Sequence, residues 1–313
     1  MTDNPIPVAP AIETRDLGRD YGAARALEGI NLTVSTGEIY GVVGANRSGK
    51  STLMRILSIR ERPSRGSVFL AGIDTYRDPR AARRQIGFAG PLTGIPAFTV
   101  VEELTVMARL RGVSVGLNDT IDTLLQLVDL EDQRHRPIGG LSAGDARRLS
   151  LARALVHDPA IILLDAPFEL LDPATRSEVT AILRELRLLG KTILLTATSV
   201  AEVAGLCDLV AFLDRGRIVY EDAPANLLAT SGLPLRIVLA EDTGRLARFL
   251  GARPGVTATR IVDDHVLLIW IDGGTAVQAA LLADLVAGGF AILEFGFDAG
   301  QADIDLTRLA QSA

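Results

Sequence analysis

A twelve-residue run, GVVGANRSGKST at positions 41 to 52, limits the folds open to this chain more than any other stretch. An apolar run leads into it and the apolar-periodic LMRILSI leads out, so its glycines fall between a predicted buried strand and a predicted helix. Gly44, Ala45, Asn46, Arg47, Ser48, Gly49, Lys50 and Ser51 satisfy the spacing G-x-x-x-x-G-K-S/T. That pattern holds a polyphosphate. Its glycines let backbone N–H groups turn inward, the helix start adds its positive end, the lysine reaches the outer phosphate oxygens and the serine hydroxyl faces Mg²⁺. The expected nucleotide-binding set is therefore Gly44, Asn46, Arg47, Ser48, Gly49, Lys50, Ser51 and Thr52, with ATP and Mg²⁺ as cofactors. Lysine occurs only twice, at Lys50 and Lys191, and arginine supplies the remaining positive charge, so a lysine at position 50 is not surface filler.

The 313 residues, 48% apolar, suffice for one large domain and a small one. A net charge of −6 argues against a nucleic-acid partner, whose phosphates are held chiefly by basic surface. The lone cysteine, Cys207, excludes an internal disulfide, fits a reducing compartment and reads as a small buried helix residue. The N-terminal MTDNPIPVAPAIE has no apolar signal core, and no run approaches the roughly 18 apolar residues of a membrane span. Work at a membrane would go through a partner.

Residues 1 to 11, with three prolines, read as a flexible leader. INLTVSTGEIYGVVG predicts strand, turn and buried strand. Further strands are expected at 160 to 164 and 192 to 197, helices at 173 to 189 and 199 to 206, and a hairpin over LVAFLDRGRIVYED, which together describe a parallel α/β sheet. Residues 99 to 156 are mostly helix-patterned and read as a helical insertion. SGLP marks a boundary near 231, and beyond it strand, helix, strand, strand, helix and strand follow, the order of a ferredoxin-like domain with Trp270 and its phenylalanines in the core. The expected division is a nucleotide-binding domain over 12 to 230 and a ferredoxin-like α+β domain over 231 to 313.

Asp165 ends the apolar run IILL and is placed to hold the water shell of magnesium, with Ser51 as the other metal-side group. With LSAGD at 141 to 145, ARRLSLARALVHDPAIILLDAP after it and LLDP at 170 to 173, the chain resembles the nucleotide-binding subunit of an ATP-binding cassette (ABC) transporter over residues 12 to about 230. The resemblance implies a P-loop NTPase core with a helical signature subdomain. LSAGD corresponds to the signature motif and LLDP to the D-loop, and Tyr21 falls where the family stacks an aromatic on adenine. An exposed strand tyrosine without that role is the alternative. The layout of the tail is similar to that of drug-resistance-type exporter ATPases. The family pairs two such domains head to tail, each ATP lying between one subunit's phosphate loop and the other's signature, and closure drives transmembrane permease subunits from the cytoplasmic face of the membrane.

Several positions depart from the family pattern. Ala166 stands where the glutamate that polarises the attacking water is expected, and Thr198 where the switch histidine is expected. Pro91 or Gly90 takes the place of the glutamine that bridges magnesium and the membrane partner, Gln85 lying about six positions too early. Arg47 replaces a glycine, and the signature carries Ala143 for glycine and Asp145 for glutamine, while Ser142 and Gly144 remain to act on the partner's ATP. Glu169 is a displaced candidate base. With no acid or base in its own site, the chain is expected to bind ATP and scarcely cleave it. Two readings follow: a degenerate subunit of a heterodimeric exporter whose Ser142 and Gly144 complete a competent partner's site, or a non-hydrolysing regulator that gates a membrane complex by ATP binding alone. An ordinary active homodimer would need replacements for three missing groups.

Overall fold

The computed structural model describes residues 9–169, 171–226, 235–240, 243–250, 253, 255–271 and 275–297. The boundary expected near 231, residues 1–8 of the expected leader and the chain beyond 297 lie outside them. The described residues form two compact units, one reaching Thr198 and resuming over Leu206–Glu221, the other comprising Ser199–Gly205 and the residues from Asp222 onward.

The first unit holds two sheets. The strands expected from their apolar runs, β3 (Ile39–Val43), β7 (Ile161–Leu164) and β8 (Thr192–Ala197), are buried at every position, as parallel strands covered on both faces must be. With β6 (Ile86–Ala89), β9 (Leu209–Asp214) and β10 (Arg217–Asp222) they make a six-stranded sheet ordered β10-β9-β3-β8-β7-β6. The pairs from β9 to β6 are all parallel, so the ends of β3, β7 and β8 share one edge.

The second sheet, ordered β2-β1-β4-β5, was not anticipated from the sequence. It contains β1 (Ile12–Tyr21), β2 (Ala24–Val34), β4 (Arg65–Leu70) and β5 (Ile73–Asp74), paired antiparallel. Bulges between Thr14 and Asp20 break the alternation of β1; at one of them Asp16 has φ 46° and donates its N–H to Asn31 Oδ1 at 2.8 Å. Leu17, Leu27, Ile30 and Leu32 nevertheless face a core shared with Leu53, Met54 and Leu57 of α1 (Lys50–Leu57).

After α2 (Pro79–Gln85), three helices fill most of the expected insertion: α3 (Val100–Leu110), α4 (Leu117–Leu127) and α5 (Ala143–Leu155). Thr99 and Glu102 form a reciprocal capping box that starts α3. An ion pair holds α3 to α5. Glu103, 5% exposed, meets Arg153 Nε at 3.1 Å, and the same guanidinium donates to Thr93 O at 2.6 Å. α6 (Pro173–Leu188) then packs toward the sheet through Val179, Ile182, Leu183 and Leu186.

Three expectations for the chain up to residue 207 need correction. Ala11, placed in the flexible leader, is buried and donates to Val34 O at 2.9 Å as part of the sheet. Residues 201–206 are turns rather than a helix, with Val203 N–H bonded to Val200 O at 3.0 Å, and Cys207 follows them as a buried non-helical residue whose thiol pKa burial pushes upward. The spacing of three residues in that bond is a turn's, not an α-helix's.

In the second unit, β11 (Leu235–Leu239), α7 (Thr243–Leu250), β12 (Val256–Ile261), β13 (Val266–Ile271), α8 (Thr275–Ala287) and β14 (Ile292–Phe297) follow the βαββαβ order. The sheet runs β12-β13-β11-β14 with antiparallel neighbours throughout. Phe249 and Phe290 meet in its core with ring centroids 5.0 Å apart. Trp270, expected in that core, is half-buried instead, because strand alternation gives the core face to Leu267, Ile269 and Ile271.

Glu103→Gln keeps the shape of the α3–α5 contact but takes the counter-ion from Arg153, so it is expected to destabilise the chain by about 3 kcal/mol. Chemical denaturation of the two proteins measures the difference.

Candidate functional site

The phosphate loop is shaped by what its glycines leave out. A Cβ on Gly44 would lie 2.2 Å from Leu213 O and 2.8 Å from Ser48 Oγ. Gly49, with φ 116°, caps α1 without a side-chain hydrogen bond, and no acidic residue enters the first turn of the helix. The positive end of α1 is therefore left to a ligand. Ser48 Oγ is buried with no hydrogen-bond partner, and the Lys50 ammonium folds onto the loop, donating to Gly44 O at 2.5 Å and Ala45 O at 2.9 Å. An orphaned hydroxyl, an uncapped helix start and a cation held against the loop fit a polyphosphate. Asn46, Arg47 and Ser51 are exposed. Arg47 has φ 68°, a region that favours glycine. Thr52 is buried, and its hydroxyl accepts from Arg55 at 3.1 Å rather than lying open.

Arg55 links this helix to Tyr21. Its guanidinium donates to Tyr21 Oη at 3.1 Å, the tyrosine donates to Glu61 at 2.7 Å, and Arg19 lies 4.8 Å over the ring. Tyr21 is 41% exposed, with the Arg19 guanidinium over one part of its ring. The structure thus ties the aromatic to the loop's own helix.

At the same sheet edge, β7 delivers Asp165. Its N–H donates to Ala89 O at 2.8 Å, and one carboxylate oxygen accepts from Thr196 Oγ1 at 2.8 Å. Ala166 follows with φ 49°, its N–H donating to the same threonine oxygen at 2.8 Å. Thr196 was read only as strand; its signal was a second hydroxyl, after Thr192, in a fully buried run. A Cβ on Gly90 would come 3.9 Å from Asp165 Cβ, whereas Pro91 is exposed. Gln85 ends α2 and Thr198 is exposed after β8. The Glu169 side chain is 65% exposed and lies 3.8 Å from Arg147. No group of three or more His, Cys, Asp or Glu among the described residues could hold a metal unaided. Mg²⁺ would be held by Ser51, Asp165 and the phosphates together.

Ser142 caps α5, accepting from Asp145 N–H at 3.1 Å and donating to Asp145 Oδ2 at 2.7 Å. Gly144 packs so closely that a Cβ there would stand 2.8 Å from Thr175 Cγ2. Hydrogen bonds from the Thr175 hydroxyl and N–H hold the neighbouring Asp172 carboxyl below its usual pKa. Gly144 is thus placed beside the start of α6, and Ser142 is held by Asp145.

A parallel sheet whose strand ends carry a glycine-rich loop, an uncapped helix and an acidic residue two strands away defines a P-loop nucleotide-binding protein. The ABC transporter family profile matches residues 27–169. The chain is 34% identical over 305 residues to the daunorubicin/doxorubicin resistance ATP-binding protein DrrA of Streptomyces peucetius, across 96% of this chain and 92% of that one. It is 37% identical over 225 residues to Nod factor export ATP-binding protein I of Burkholderia lata, across 71% and 74%. Among solved structures it resembles cbiO1 from Clostridium perfringens, part of the ABC transporter complex cbiONQ, at 27% identity and TM-score 0.62 over 71% of this chain and 91% of that one. It also resembles a bacterial ABC transporter cassette solved as a dimer, at 27% identity and TM-score 0.61 over 68% and 98%. The chain belongs to the ATP-binding proteins of ABC transporters.

Replacing Tyr21 with alanine removes an exposed ring tied to α1. ATP affinity is expected to fall by about 1–3 kcal/mol, the range for a base on an aromatic, in a direct binding titration; unchanged affinity would return Tyr21 to plain surface.

Proposed function

We propose that this chain is the ATP-binding subunit of an exporter-type ABC transporter, acting at the cytoplasmic face of a membrane through transmembrane permease subunits, and that its own site holds ATP with Mg²⁺ while scarcely cleaving it. Relatives named for drug resistance and for Nod factor export support the transport direction. No helix among the described residues is long and apolar enough to cross a membrane, in keeping with permeases on separate chains.

The observation that carries the reading is Ala166. It sits directly after Asp165 at the loop edge, where its methyl cannot take a proton from water and its N–H is already engaged by Thr196. Glu169, the next acidic residue after it along the chain, is turned to solvent and to Arg147. Thr198 offers a neutral hydroxyl where the family resemblance places a histidine, and Pro91 has no side-chain donor or acceptor. The loss of an acid/base group costs about 10²–10⁴-fold in rate, and the groups named here act as one unit, so their losses do not simply multiply. In this reading the chain pairs with a second, competent nucleotide-binding subunit, as a related cassette pairs in its dimeric structure. Ser142 and Gly144 then serve the ATP held by that partner.

A second reading, regulation by ATP binding alone, is favoured by one feature. The Ser142 hydroxyl is donated to Asp145, and the Asp145 carboxylate brings negative charge to the helix end where a partner's phosphate would approach.

The purified chain is expected to bind ATP with Mg²⁺ and to release phosphate at least about 100-fold more slowly than a subunit with its base intact. Steady-state phosphate release at ordinary exporter rates, abolished by Lys50→Ala, would sink this reading. In the assembled complex, Ser142→Ala is expected to lower ATP hydrolysis by more than about tenfold, given the roughly 10²-fold value of a preorganised donor at developing charge. Hydrolysis left intact in that variant makes the regulatory reading the better one.

A further inference from the structure

Thr196 is fully buried in β8, paired across the sheet with Val42 of β3, and the strand around it reads TILLTA. A hydroxyl at such a position is unfavourable unless both its donor and its acceptor are used. Both are. Its proton goes to Asp165 Oδ1 and its oxygen receives the Ala166 N–H, each at 2.8 Å. A β-branched side chain in a strand has few χ1 choices, so these two bonds fix a direction as well as a distance.

The consequences fall on two consecutive residues. The Asp165 backbone is already anchored, its N–H on Ala89 O and its C=O accepting from Arg147 at 3.5 Å. What the backbone leaves free is rotation of the carboxylate, and Thr196 removes it by engaging Oδ1. Oδ2 then keeps its lone pairs for an outside donor. Ala166, at φ 49°, lies in a region that an alanine leaves readily, and the bond from its N–H to Thr196 holds it there. One hydroxyl therefore sets the carboxylate and the strained turn after it.

We propose that Thr196 is a positioning residue for magnesium-dependent nucleotide binding, orienting Asp165 so that Oδ2 faces the metal's water shell and keeping Ala166 in the left-handed turn that leaves this approach open. The inference rests on the reading of Asp165 as the metal-side carboxylate of an ATP site, and it adds a residue that touches neither ATP nor metal. Ligand-orienting partners of this kind are worth about 10–100-fold in metal affinity.

The test uses the full chain as wild type, Thr196→Val and Thr196→Ser. ATP binding is titrated calorimetrically in EDTA and across a range of MgCl₂ concentrations, with thermal unfolding followed alongside. Valine keeps the volume and the branch but loses both hydrogen bonds. It is expected to raise the Mg²⁺ concentration for half-maximal enhancement of ATP binding by about tenfold or more, while affinity in EDTA stays within about twofold of wild type. Serine is expected to restore the magnesium dependence. Should the valine variant fail to fold, Thr196→Ala makes the same comparison without a methyl facing the carboxylate. Equal losses with and without Mg²⁺ would assign Thr196 a merely structural role and overturn the proposal, as would an unchanged magnesium profile. A wild-type chain whose ATP binding ignores Mg²⁺ overturns the reading of Asp165 itself, which separates that failure from failure of Thr196.

Discussion

Three stretches of backbone meet at the phosphate loop with no side chain between them, and the first unit depends on that contact. Gly44 lies against the carbonyl of Leu213 at the end of β9, Gly216 N–H donates to Ser48 O at 2.8 Å, and Glu28 N–H donates to Gly216 O at 2.8 Å. β9 belongs to the parallel sheet and Glu28 to β2 of the antiparallel one, so the loop is the seam where the two sheets are joined. A Cβ on Gly216 would come within 2.6 Å of Ala26 O, which explains why the turn after β9 ends in glycine. The nucleotide cradle is thus part of the framework. Its N–H groups can point inward because neighbouring backbone already satisfies the outward side of the loop.

Against this framework, two non-glycine residues at the site adopt left-handed backbone, Arg47 in the loop and Ala166 after Asp165. Each costs on the order of 1–2 kcal/mol relative to a right-handed conformation. Their surroundings differ. Ala166 is held by a hydrogen bond to a buried hydroxyl, whereas Arg47 is exposed, and its guanidinium makes no ion pair recorded among the described residues. The left-handed backbone of Arg47 belongs to a turn closed by the Ser48 N–H on Ala45 O at 3.2 Å, so local hydrogen bonding holds the loop's shape.

The sequence made the site more legible than the fold around it, and for a physical reason. A phosphate loop needs particular residues at particular spacings, so Gly44 to Ser51 could be read without knowing any contact, and so could Asp165 at the end of four apolar residues. β3, β7 and β8 are covered on both faces and announce themselves as apolar runs. β1 does not, because its bulges interrupt the period of two on which such reading relies. The Glu103–Arg153 pair was invisible for another reason: the two residues are fifty positions apart, and each alone looks like a solvated helix charge. The turns at 201–206 were misread because apolar spacing alone does not reveal whether backbone bonds span three residues or four.

The N-terminus of α5 poses a question of proton placement that spacing could not raise. Ser142 Oγ accepts the Asp145 N–H and so caps the helix, a contribution of about 0.5–2 kcal/mol that needs only the oxygen. The hydroxyl has one proton, and it is given to Asp145 Oδ2. Redirecting that proton to a phosphate need not cost the cap, because rotation about the Cβ–Oγ bond leaves the acceptor lone pair in place. It does cost a charge-assisted hydrogen bond and leaves two anions facing each other across the helix start. Arg148 decides how large that penalty is. It lies 3.5 Å from Asp145, 3.5 Å from Glu178 and 3.0 Å from Asp129, so its charge is already divided among three carboxylates. Only part of its charge is therefore left to offset the Asp145 carboxylate at the helix start.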